Sequence, residues 1–206
     1  MNSYSTSTSP FVGLRPYETI DAGWFFARDR ESVELAFKLQ TASFTAVVGS
    51  SGSGKSSLVR AGVVPRLRAK GWREIITRPG SAPIERLARA LSLASPERRL
   101  AEARRFRFDA ALRASAFGLK DIIQTLDADG PRLLLIVDQF EELFRYGDQA
   151  CGVARAGMRE EARAFVELLL TGARSSDRRL HICVTMRSDF FGACSSFVGL
   201  AEAVSA

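Results

Sequence analysis

The stretch Gly49-Ser50-Ser51-Gly52-Ser53-Gly54-Lys55-Ser56-Ser57 decides how the rest of this chain is read. It satisfies G-x-x-x-x-G-K-[ST] in full. The apolar run 44–48 before it has the length of a strand, and residues 58–64 after it can open a helix. A strand, a glycine-rich loop and a helix in that order are the context that makes this pattern a phosphate site. Gly49, Gly52 and Gly54 let the backbone curl so that successive N–H groups face inward. A helix beginning near Lys55 adds the positive end of its dipole. Lys55 then supplies a mobile charge for β- and γ-phosphates, and the Ser56 hydroxyl is placed to coordinate Mg2+, with Ser57 the weaker choice.

Composition bounds what can surround such a loop. With 206 residues, 46% of them apolar, the chain can bury one good core and build one ordinary domain with appendages. The formal charge of +6 comes from dispersed arginines, which suits anionic ligands without specifying nucleic acid. Cys151, Cys183 and Cys194 show no C-x-x-C spacing and are odd in number, which argues for free thiols and a reducing cytoplasm. The aliphatic run 133–137 is too short to span a bilayer, and no apolar signal core opens the chain, so no membrane partner is expected.

Taken in order, residues 1–10 have almost nothing to bury and read as a disordered lead. Residues 11–43 read as a turn-rich arm followed by helices. Thr19 to Ala22 offer caps for a short helix, and Trp24, Phe25 and Phe26 are expected to pin the arm to the body. Asp29 is expected to cap a helix from Arg30 to about Gln40 with Val33, Ala36 and Phe37 on one apolar face. Residues 44–206 read as the core. Pro65 is expected to interrupt the helix after the loop, and 72–77 is a second strand stopped by Arg78-Pro79-Gly80. Ile84, Leu87, Ala88 and Leu91 recur at helical spacing, as do Leu119, Ile122, Ile123 and Leu126, and later Met158, Ala162, Phe165 and Leu169. Residues 133–137 and 181–186 complete four strands, which alternate with helices and so imply an α/β fold with a parallel sheet covered on both faces.

Two further constellations lie at strand ends. The third strand delivers Asp138, followed by Gln139-Phe140-Glu141-Glu142. An acid in that place can reach a metal held beside Ser56, and one of the glutamates can orient or deprotonate an attacking water. Glu142 is chosen over Glu141, against the plainer reading that both acids only start a helix. The fourth strand delivers Thr185-Met186-Arg187, whose arginine can report a γ-phosphate or simply pair with Asp189. His181, the lone histidine, has no companion at metal-ligand spacing and reads as structural.

Six motifs, PFVGLRPY, FFARDRE, VVGSSGSGKSSLVRAG, the RPG after strand two, LLLIVDQFEELF and VTMRSDFFG, together resemble the STAND class of P-loop ATPases. More narrowly, they resemble the bacterial novel STAND NTPase 1 family. The resemblance implies a P-loop NTPase three-layer sandwich with the sensor strand inserted, in the order 1-4-3-2. It implies that Arg28 helps cover the base, although Ala27 and Asp29 depart there from the family's Gly and Glu. It also supports Glu142 as the water-orienting acid and a Thr185/Arg187 sensor. Members carry a fifth strand, a helical lid and further domains beyond the sensor. With Ala206 so near that motif, the fifth strand and lid are expected to be missing, the first strand to leave an apolar edge, and the chain to need a partner or to self-associate.

The leading reading is an ATP- and Mg2+-dependent signalling switch with slow hydrolysis. The alternatives are a remodelling or motor ATPase, and a nucleic-acid module using Arg98, Arg99, Arg104, Arg105 and Arg107 with Phe106 and Phe108, a segment read more readily as a solvated or docking face. ATP is favoured over GTP because no Asn-Lys-x-Asp stretch is present to read guanine.

Overall fold

The computed structural model describes residues 13, 15–26, 28–94, 98–126, 130–149, 152–175 and 178–205. The expected disordered lead, most of the arm's first turn, Ala27 and Cys151 lie outside them. A short 3-10 helix, Thr19–Trp24, precedes α1 (Asp29–Thr41) and β1 (Phe44–Gly49). After the glycine-rich loop come α2 (Lys55–Ser57), a π-helical stretch Leu58–Val63, and α3 (Val64–Arg68). Then follow β2 (Arg73–Thr77), α4 (Pro83–Ala94), α5 (Ala101–Ala114), α6 (Gly118–Leu126) and β3 (Leu133–Val137). The chain continues through α7 (Glu142–Gln149), α8 (Gly152–Ala173), β4 (Leu180–Arg187), a 3-10 segment Ser188–Ser196 and α9 (Leu200–Ser205).

The strands form one parallel sheet of 4 strands in the order β1-β4-β3-β2. This is the expected order, and β3 shows why the sheet is central. All five of its side chains are buried, which only a strand covered on both faces requires. Side chains alternate across a strand, so Leu133, Leu135 and Val137 join one apolar layer while Leu134 and Ile136 join the other. β4 repeats the division, with Leu180, Ile182, Val184 and Met186 in the larger layer and Cys183 in the smaller. The larger layer packs α4, α5, α6 and α8 against the sheet, and the smaller packs α1, the π-helical stretch and α3. Each β3 side chain gains roughly 1.5–3 kcal/mol by burial, so a charge at either parity disrupts one of the two layers.

Several expectations need correction. The helix after the loop continues through Pro65, because the turn before it widens to π geometry and Pro65 falls in the first turn of α3, where no N–H is required. α1 begins at Asp29 with Arg28 at its N-cap and no capping side chain; Asp29 pairs instead with Arg66 at 2.6 Å. The buried face of α1 is Ser32, Ala36 and Leu39, whereas Val33 and Phe37 are 56% and 68% exposed. Gly62 decides this face. A Cβ there would lie 2.3 Å from Ser32 Oγ, so the helix after the loop seats its bare backbone on Ser32. Trp24 and Phe26 are exposed, and the arm is held by Phe25, whose ring lies 5.8 Å from Tyr17 and against Gly62. Trp72 precedes β2 and packs against His181, which is fixed between the carbonyls of Ala42 and Arg178. Among the described residues no fifth strand lies beside β1, and α9 packs near it.

Candidate nucleotide site at the carboxyl edge of the sheet

Strand register assembles the site. Gly49 at the end of β1 lies opposite Arg187 of β4, and Val137 of β3 lies opposite Val184, so Asp138 leaves its strand beside Thr185. The glycine-rich loop 49–57 then turns back over this edge. Gly52 and Gly54 take φ of 75° and 77°, the left-handed region that a side chain resists. Gly49 is needed for another reason, since a Cβ there would meet Ser53 Oγ at 3.0 Å. Lys55 Nζ donates to the carbonyls of Gly49 (2.9 Å) and Ser50 (2.7 Å), which parks its charge at the mouth of the loop.

A cavity of about 330 Å3 opens above the loop. Ser51, Gly52, Gly54, Lys55, Ser56 and Ser57 form one wall. Gln139, Glu141, Thr185 and Arg187 form the other, and Arg15 and Pro16 of the arm close one side. Beneath it lies Asp138, 0% exposed, whose carboxylate is fully engaged. Oδ1 accepts from Ser56 Oγ and Thr185 Oγ1, both at 2.6 Å, and Oδ2 accepts from Arg60 at 2.8 Å and Arg78 at 3.3 Å. Burial raises the Asp138 pKa, but the two hydroxyl bonds and the charges of Arg60 and Arg78 outweigh it and hold the group below the ordinary carboxylate range.

Thr185 is a clamp as well as a donor. Its Oγ1 accepts from the Gln139 amide at 3.0 Å, and its carbonyl accepts from Phe140 N at 2.9 Å. This pulls the chain sharply after β3 and leaves Gln139 at φ 58°, an uncommon conformation for a residue other than glycine. Beyond that turn the two glutamates part. Glu141 is buried on the cavity wall and accepts from Arg187 N at 3.3 Å. Glu142 is the first residue of α7, and its carboxylate accepts from Gly80 N at 2.9 Å, binding the RPG loop instead of facing the cavity. Arg187 lines the cavity and also pairs with Asp189. Arg28 is not on the cavity wall; it donates to Ser53 O at 2.9 Å and so braces the loop from behind.

The description novel STAND NTPase 1 belongs to a family model that matches residues 10–206. The chain belongs to that family. No curated protein and no solved structure matches it. For a novel STAND NTPase 1 domain the donor set is coherent: left-handed glycines, a lysine whose hydrogen bonds go to neutral oxygens of the loop, and a hydroxyl already hydrogen-bonded to a buried carboxylate fit a nucleotide with a divalent cation. No helix among the described residues is long and apolar enough to cross a membrane.

Sequence reasoning missed Arg60, Arg78, Arg15 and Gln139. The first was findable, because Arg60 stands four residues after Ser56 and helical spacing puts both on one side. Arg78 and Arg15 come from segments whose approach to the site depends on the folded arm and on β2. Nothing in the local sequence signals the left-handed turn at Gln139.

Proposed function

We infer that this domain binds ATP with Mg2+ and works as a nucleotide-dependent signalling switch whose hydrolysis is slow. The observation that carries this is the 2.6 Å hydrogen bond from Ser56 Oγ to Asp138 Oδ1, which joins the end of the phosphate loop to the acid after β3. Ser56 and Asp138 would hold Mg2+, which supplies charge neutralisation at the β- and γ-phosphates. Lys55 exchanges its loop contacts for phosphate oxygens, and the loop's backbone N–H groups line the same turn, that of Ser53 now donating to the Ser50 carbonyl at 3.3 Å. Glu141 takes the water-orienting role in place of Glu142, because it lines the cavity while Glu142 is occupied by Gly80. Arg187, released from Asp189, meets the γ-phosphate and so distinguishes triphosphate from diphosphate.

Steady turnover measured with saturating Mg-ATP would favour a remodelling ATPase over this switch. The nucleic-acid reading has less support. Phe108 is buried in the core, Arg105 pairs with Glu85 and Glu102, and the Arg98 side chain lies outside the described residues. A cytoplasmic setting accords with Cys183 and Cys194, both free and buried, the Cys183 thiol being pushed up to about 12 by burial. Calorimetry of the wild type and Lys55→Ala with ATP, in Mg2+ and in EDTA, tests the function. Binding that needs Lys55 and tightens with Mg2+ supports it, and equal affinity in the two proteins overturns it.

A further inference from the structure

We propose that Arg60 is a positioning residue through which the N-terminal arm and the metal site sense one another, so that docking of the arm and binding of Mg-nucleotide stabilise each other. The inference rests on the proposed nucleotide function.

Arg60 sits in the π-helical stretch after the phosphate loop and is only 8% exposed. A guanidinium buried so deeply is costly unless carboxylates compensate it. Arg60 has two. One end of its fork donates to Asp138 Oδ2 at 2.8 Å, the other donates to Glu18 Oε1, and Nε has no hydrogen-bond partner. A planar fork can span two acids in this way, and a lysine cannot. Glu18 belongs to the arm, and its neighbours grip the same helix. Thr19 Oγ1 donates to the Arg60 carbonyl at 3.3 Å, and Tyr17 N donates to Ser57 Oγ at 3.0 Å. Three consecutive arm residues are therefore fastened to the helix that carries Ser56.

The sign of the coupling follows from charge. Asp138 faces two cations, Arg60 and Arg78, and both repel a divalent cation bound beside Ser56. Glu18 offsets one of them. The other nearby arm charges, Arg15 and Asp21, pair with each other. With the arm docked, the group Asp138, Glu18, Arg60 and Arg78 is neutral; with Glu18 removed it is net positive, and Arg60 is left to Asp138 alone. Docking thus favours the metal, and by reciprocity the metal favours docking.

The test uses the whole 206-residue chain, with ATP in Mg2+ and ATP in EDTA as probes. In Glu18→Gln the enhancement of ATP affinity by Mg2+ should fall about five-fold or more, the lower end of ordinary site-to-site coupling, while affinity in EDTA is no lower than in the wild type, since the added positive charge repels the metal and not the nucleotide. The Glu18 side chain is 39% exposed, so the isosteric change leaves the fold intact. The wild type supplies a second measurement: amide hydrogen exchange across 17–24 should slow with Mg-ATP relative to ATP in EDTA. Wild-type protein that binds no ATP overturns the proposed function and this inference together. Wild-type protein that binds Mg-ATP, with an Mg2+ enhancement that Glu18→Gln leaves unaltered or with no slowing at 17–24, overturns this inference alone.

Discussion

Replacing Thr185 by valine removes one hydroxyl from a buried position at the cavity wall and leaves the shape of the side chain nearly unchanged. Two hydrogen bonds go with it: the 2.6 Å donation to Asp138 Oδ1 and the 3.0 Å acceptance from Gln139 N. The first involves an ionised carboxylate and is worth about 1.5–3 kcal/mol, and the second, between neutral groups, about 1 kcal/mol. Thr185→Val should therefore cost about 2.5–4 kcal/mol, or a fall of about 1–2 M in the urea midpoint at a slope of about 2–3 kcal/mol/M. Part of this cost depends on pH. Asp138 is held below its ordinary value in the folded protein, so it contributes stability that is complete above the unfolded carboxylate pKa and is lost as pH falls through the folded one. Without the Thr185 hydroxyl the folded pKa rises toward the ordinary value and that contribution shrinks. The difference between variant and wild type should then be constant at neutral pH, narrow as pH drops below the ordinary carboxylate range, and retain the smaller Gln139 part. Urea unfolding followed by circular dichroism at several pH values measures this. An unchanged midpoint at neutral pH, or a full-sized gap that persists where Asp138 is protonated, would refute the reasoning.

Glu141→Gln should retain ATP and suppress hydrolysis, whereas Glu142→Gln should hydrolyse at a near-normal rate but be less stable by about 1 kcal/mol through its weakened bond to Gly80 N; single-turnover hydrolysis and denaturant unfolding separate the two, and the opposite assignment would restore Glu142 to the catalytic role. Gly62→Ala drives a methyl to 2.3 Å from Ser32 Oγ and should cost about 1–3 kcal/mol, a cost that Gly62→Ala with Ser32→Ala together should partly recover in thermal unfolding. Phe37→Ser, on the exposed face of α1, should change stability by no more than about 0.5 kcal/mol, and a larger loss in denaturant unfolding would mean that this face is covered.

Local chemistry determined the phosphate-loop pattern and the central strand. The glycines, Lys55 and Ser56 read as a phosphate loop because those residue types answer to backbone geometry and charge within a few positions. The five aliphatic residues of β3 read as a central strand because a run without polar alternation can only be buried twice over. The order β1-β4-β3-β2 came through resemblance carried by several motifs, and the sheet has it. What only the tertiary structure decided lies where long-range packing overrules local pattern. The apolar residues Val33 and Phe37 invited burial, yet α1 turns Ser32 and Ala36 inward because the bare backbone at Gly62 accepts a small side chain there. Glu141 and Glu142 are chemically alike and adjacent, so no sequence pattern separates them. Thr185, reaching across from β4, twists Gln139 into a left-handed turn and sends one glutamate to the cavity and the other to the RPG loop. Arg60 shares its helix with Ser56, but its meeting with Glu18 and Asp138 spans 42 and 78 residues of chain, a separation that folding alone can close.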